Sequence, residues 1–164
     1  MDIKKTLSLL TNFLFKRLAE IFGITIFGSG VFLLIALLTY APEDPNFIFP
    51  ENTEIKNLLG FQGSFLSDLF LQSLGLIAYL ISITLIISGI NVIKIKRFFL
   101  LIENIFFTIL YSLFGTLFLT YFFTKSYMLY INGNGGFVGV YLNKSFLGSM
   151  IQLNEQIFFY LLIL

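Results

Sequence analysis

Few residues in this 164-residue chain have the types and spacing that chemistry needs. Cys and His are both absent, which removes disulfides, thiolate or imidazole metal ligation, histidine-ligated haem and any Cys or His nucleophile system. Hydroxyls recur at every fourth position in Thr108, Ser112, Thr116, Thr120 and Thr124. A membrane-embedded protease would pair such a hydroxyl with Lys or His, or use paired Asp, and no partner base stands in these stretches. The row reads as a seam where helices approach closely, since small residues drive packing in lipid. The bland alternative is that each hydroxyl bonds its own i−4 carbonyl, but regular spacing favours the seam. The run Asn132-Gly133-Asn134-Gly135-Gly136 has no following Gly-Lys-Ser/Thr, so it is a tight turn and not a phosphate cradle. No residue is assigned a catalytic, cofactor-binding or metal-binding role.

The elements that carry these residues follow from composition. Hydrophobic residues make up 57% and charged residues 12%, against about 45–50% and 25% in soluble chains. A chain this short cannot hide so much apolar surface in one core, and a net charge of +1 offers no field for a polyanion. The expected fold is therefore an all-α integral membrane domain of four transmembrane helices, three complete and a fourth begun, with short periplasmic surface helices.

Uncharged runs at 21–41, 69–93 and 104–124 are each long enough to cross a bilayer. Segment 1–20 places Ile3, Leu7, Leu10, Leu14 and Leu18 on one helical face, which suits either a helix on the cytoplasmic leaflet or an extension of the first span. Segment 42–68 begins with two prolines that stop the helix, then offers Ile55, Leu58 and Leu59 as the apolar face of a short surface helix. Ser67 or Asp68 is expected to cap the second span. Tyr40, Tyr127 and Tyr130 fit an interfacial aromatic belt.

Segment 94–103 is a basic loop, and 125–153 holds a surface helix near 137–151. Residues 154–164 open a fourth span, with Asn154 as its cap and Glu155 in its first turn. The competing reading, one continuous span over 145–164, buries that carboxylate at a cost of about 2.5–3.5 kcal/mol. Lys4, Lys5, Lys16, Arg17, Lys94, Lys96 and Arg97 outnumber Lys56, Lys125 and Lys144, which places the N-terminus and the middle loop in the cytoplasm.

The order of these pieces resembles the N-terminal membrane domain of FtsK/SpoIIIE-type DNA translocases. The resemblance lies in LLTYAPEDPNF (37–47) and NLLGFQGSFLSDLFLQSLGLIAYL (57–80), through Tyr40, Pro42, Asp44, Pro45, Asn57, Leu58, Leu59, Gly60, Gly63, Asp68, Gln72, Gly75, Ala78 and Tyr79. Gly135, Gly136 and Gly139 resemble the glycines before that family's last span. Ser67-Asp68 departs slightly from the family's Ala-Asp pair.

The resemblance implies a multi-pass protein of the bacterial inner membrane with both termini cytoplasmic, placed at the division septum. It implies a membrane anchor and assembly domain of a septal DNA translocase, acting in cell division and chromosome segregation. The expected partners are the bilayer, further copies (a hexamer) and other division-site membrane proteins, with no nucleic-acid contact by this segment and no cofactor. This stretch contains no Walker A sequence and is expected to be the front end of a longer protein. The alternative is a small transport or channel subunit, for which only Glu155 would serve as a coupling carboxylate.

Overall fold

The computed structural model describes residues 3–45, 54–97, 99–124 and 132–163, without the side chains of residues 3, 5, 6 and 163. Lys125, Tyr127 and Tyr130 lie outside the described residues, as does the side chain of Lys5. The order is α1 (Ile3–Leu38), α2 (Gly60–Leu74), α3 (Ile77–Ile95), α4 (Phe99–Phe122), α5 (Gly136–Asn143), α6 (Phe146–Leu153) and α7 (Glu155–Ile163). Among the described residues helix is the only regular secondary structure, and three stretches are long and apolar enough to cross a membrane: Leu7–Leu38, Ile77–Ile95 and Phe99–Phe122.

Large apolar side chains such as Ile24, Ile87, Phe106, Phe107 and Ile109 are exposed along these stretches. They need an apolar medium, which lipid supplies and water does not. The buried core is correspondingly small, formed by Leu33, Leu37, Leu71, Ile77, Ala78 and Ile81 with Tyr40, Phe70 and Tyr79 packed against it.

The longest contact joins α1 to α3, and small residues make it. A methyl group on Gly23 would strike Ile93 and the Gly89 carbonyl, one on Gly89 would strike the backbone of Phe27, and one on Gly30 would strike Ile86. Without a hydrophobic drive between helices in lipid, this close backbone approach supplies the packing.

Several elements differ from the sequence-based expectation. The run 69–93 is divided, since residues up to Leu74 belong to α2 and the break falls at Gly75, whose φ of 61° a side chain would disfavour. Segment 54–59 is turn and extended chain, not a surface helix, and Ile55 and Leu58 are exposed. The helical turn begins only at Gly60, because Asn57 folds back on the chain to accept from the Leu59 and Gly60 amides. Ser67 and Asp68 are interior to α2 and cap nothing. The expected surface helix is broken at Lys144 into α5 and α6, the second capped by the Ser145 hydroxyl accepting from the Leu147 amide.

Residues 3–20 belong to α1 without a break, and α4 begins inside the basic segment 94–103. Charge ends a membrane span, but Lys and Glu are good helix formers and do not end a helix.

Candidate functional site

Tyr40, Asp44, Asn57, Asp68 and Tyr79 converge at the end of the bundle where α1 finishes and α3 starts. The end of every α-helix leaves carbonyls without intrahelical donors, and in lipid such groups are costly. Pro42 and Pro45 bring no N–H to this turn. The donors come instead from distant side chains. Asn57 donates its amide to the carbonyls of Ala36 at 2.9 Å and Thr39 at 3.2 Å. Tyr79, from α3, donates its hydroxyl to the Leu37 carbonyl at 2.9 Å. Thr39 donates to the Ile35 carbonyl and accepts from the Leu58 amide.

Asn57 is itself held in place. Its backbone amide donates to Asp44 Oδ2, and that of Lys56 to Asp44 Oδ1, both at 2.8 Å. The Asp44 carboxylate, only 1% exposed, is thus a charged acceptor bridging the exit turn to the segment before α2, and such charge-assisted bonds are the strong ones. Asn57 Oδ1 accepts from the Leu59 amide and its backbone carbonyl from the Gly60 amide, which turns the chain into α2. Gly63 lies under Asn57, where an added methyl group would collide with Asn57 Oδ1 and Leu59.

Ser64 then donates to the Pro45 carbonyl at 3.0 Å. Tyr40 donates to Asp68 Oδ1 at 3.1 Å. Burial, together with the neighbouring Asp68 charge, pushes the Tyr40 phenol up to about 12. On the surface of this knot Lys56 pairs with Glu43 at 2.5 Å, and that contact lowers the Glu43 carboxyl and raises the Lys56 ammonium.

A second fastening uses the glycine-rich turn. The Leu76 amide, freed where α2 breaks from α3, donates to the Asn134 carbonyl at 2.9 Å. Asn134 in turn donates its side-chain amide to the Phe123 carbonyl at the end of α4, at 2.8 Å. Asn132 donates to the Gln72 carbonyl at 3.2 Å. Gly136, at φ 64°, abuts Ser73 and Gly75 so closely that a side chain would overlap their backbone. One short turn therefore ties α2, α3 and α4 together.

The hydroxyl row on α4 separates into different roles. A methyl group on Gly135 or Gly139 would fall on Thr120 Oγ1 and the Thr116 carbonyl, so α5 sits directly on that stretch of α4. Thr116 is buried and donates to the Leu113 carbonyl, while the buried hydroxyls of Ser112 and Thr120 have no hydrogen-bond partner among the described residues. Thr108 donates to the Asn104 carbonyl one turn back, and Thr124 lies beyond the end of α4, exposed. The α3–α4 contact uses other groups, Asn104 to Ser88 and Thr84 with Tyr111, each at 2.9 Å.

Glu155 lies in the first turn of α7, exposed, accepting from the Tyr121 hydroxyl at 2.6 Å. Asn154 Oδ1 accepts from the Ile157 amide as the cap of that helix, and Phe159 packs on Phe118 and Phe122 of α4.

The structure thus brings Tyr40, Asp44, Pro45, Asn57, Leu59, Gly60, Gly63, Asp68 and Tyr79 into one knot, and Gly75, Gly135, Gly136 and Gly139 into the adjoining fastening. Pro42 and Leu58 are exposed at its edge. Sequence reasoning missed Thr39, Ser64, Asn132 and Asn134 as working members, and Gly23, Gly30 and Gly89 as the α1–α3 contact. The seven-residue spacing of Gly23 and Gly30 in an uncharged span was the available signal for the α1 side of that contact. Chemically the arrangement is a fastener: its polar groups are occupied with backbone amides and carbonyls.

The sequence matches the family model for the 4TM region of DNA translocase FtsK/SpoIIIE over residues 15–164. It is similar to the DNA translocase FtsK of Rhizobium meliloti, 32% identical over 46% of this chain and 9% of that protein. The corresponding protein of Caulobacter vibrioides is 38% identical over 38% of this chain and 8% of its own length. That of Agrobacterium fabrum is 27% identical over 59% and 11%. The chain therefore spans only a small part of the curated relatives it matches. No solved structure matches it.

Proposed function

The chain belongs to the 4TM-region family of FtsK/SpoIIIE DNA translocases, and from that premise we propose that it is the membrane anchor and assembly domain of a septal DNA translocase. It is a membrane-embedded, multi-pass domain. On this reading it fixes the translocase in the inner membrane with its N-terminus in the cytoplasm, contacts further copies and other division-site membrane proteins, and itself touches no DNA. ATP hydrolysis and DNA movement in cell division and chromosome segregation would then belong to other parts of such a translocase.

The observation that carries the proposal is the polar knot. The buried hydrogen bonds of Asp44, Asn57 and Tyr79 reach backbone groups of other segments, a use of polar residues suited to rigid placement. A half-satisfied network would weaken the domain, whereas a satisfied one specifies a single arrangement. A transport subunit would instead be expected to aim ionisable groups into its spans.

Localisation tests it. A fluorescent fusion to residues 1–164, expressed beside an intact division machinery, should gather at the division site. Even distribution around the membrane would overturn the septal part of the proposal.

A further inference from the structure

We propose that the corner where α1 passes the α3–α4 connection binds the head group of an anionic phospholipid through Lys16, Lys94 and Arg97. Lys16 is far in sequence from Lys94 and Arg97, and the fold brings their chain neighbours Arg17 and Lys96 onto one acid. Arg17 donates to Glu20 Oε2 at 2.6 Å, and Lys96 pairs with Glu20 Oε1 at 2.5 Å. Lys96 ends α3 with its backbone in the left-handed region, φ 57°. Both Glu20 oxygens are occupied, so Glu20 is fully engaged by Arg17 and Lys96.

Lys16, beside Arg17, and Lys94 and Arg97, on either side of Lys96, are exposed and have no ion-pair partner among the described residues. Glu103, exposed on the first turns of α4, leaves this end still positive.

The chemistry of the ligand follows from what adjoins the charge. Leu18, Ile95 and Phe99, close in the chain to these cations, are exposed and supply an apolar sill. A free anion would meet the cations and leave the sill in water. A phospholipid fills both, its phosphate among the ammonium and guanidinium groups and its chains against the sill. Each Lys or Arg near an anionic surface strengthens attraction about fivefold, and long cationic side chains at a helix end reach the head-group level with their stems on apolar surface. The proposal rests on the membrane embedding alone and not on septal placement, so the two can fail separately.

The test uses the whole chain in nanodiscs of equal phosphatidylglycerol and phosphatidylcholine, with co-purifying lipids counted by native mass spectrometry. Phosphatidylglycerol should be retained severalfold over phosphatidylcholine. The triple variant Lys16→Gln, Lys94→Gln, Arg97→Gln should reduce that preference at least about fivefold, while Lys56→Gln with Lys144→Gln leaves it unchanged. Glu20→Gln frees Arg17 and Lys96 and should raise the preference, a gain that misfolding cannot mimic. Retained preference in the triple variant, an equal loss in the control, or no gain with Glu20→Gln would overturn the proposal. So would complete displacement of the lipid by excess inorganic phosphate, which would mark a site for the free anion.

Discussion

The side-chain amide of Asn57 donates to the carbonyl of Ala36 at 2.9 Å, joining the end of the first membrane helix to a residue 21 positions later. This bond replaces the intrahelical donor that Ala36 loses where α1 stops. Because Asn57 also serves Thr39 and receives its own support from Asp44, it is the residue on which the exit turn depends.

Asn57→Ala is therefore expected to be strongly destabilising, at about 1–3 kcal/mol for each buried carbonyl left without a donor. Thermal unfolding in detergent, followed by circular dichroism, measures it. Leu58→Ala, one position on but exposed, should change the midpoint little. Equal effects from the two substitutions would show that Asn57 contributes no more than bulk.

The surface ion pair beside it should matter far less. Glu43 and Lys56 are 76% and 63% exposed, and solvent and salt screen such pairs until they contribute little. Glu43→Gln is expected to leave the unfolding midpoint within error in high salt. A large drop would place this pair among the structural bonds.

Tyr40 gives a pH signature. Its folded pKa is raised to about 12 from an ordinary 10.0, so the fold favours the protonated phenol. The corresponding stability is fully present below the unfolded value and is lost as pH climbs through the folded one. Ultraviolet titration of the protein minus that of Tyr40→Phe should show phenolate forming near 12. Asp68→Asn should shift this transition downward by removing the neighbouring charge. An unchanged midpoint in Asp68→Asn would mean that the contact between the two has no electrostatic weight.

The α4–α5 contact predicts an asymmetry. Gly139→Ala should loosen α5, because the added methyl meets the Thr116 carbonyl, a backbone atom with little freedom, as well as Thr120 Oγ1. Hydrogen exchange across 136–143 should accelerate. Thr120→Ala should be nearly neutral, since the hydroxyl it removes is buried and without a partner among the described residues. If Thr120→Ala fully rescued Gly139→Ala, the backbone clash would be excluded as the cause.

The α1–α3 contact should be as sensitive to size. Gly89→Leu is expected to part the two helices, because any side chain there meets the backbone of Phe27 and Gly23. Gly28→Leu, at a position on α1 with open space around it, should be tolerated. Comparable losses of thermal stability from both would argue against close packing as the basis of the pair.

Composition and hydropathy alone determined that this is a helical membrane domain, because apolar runs of this length admit few other solutions in a short chain. Residue type also located Asn154 as a cap, since that effect acts within a turn of the residue. What they could not determine was where the helices break within the uncharged run or which polar residues work together. Where α2 ends at Gly75, the freed Leu76 amide meets the carbonyl of Asn134, distant in sequence. Ser67 and Asp68 looked like caps by position, yet Asp68 is the acceptor for Tyr40. The regular hydroxyl spacing on α4 marked one face, but a helix presents its residues to whatever packs there, and Gly135 and Gly139 lie against the Thr116–Thr120 stretch. Local rules set where chain segments can start and stop. Only the packed structure decides which donor meets which orphaned acceptor, since those bonds depend on distances between segments far apart in the chain.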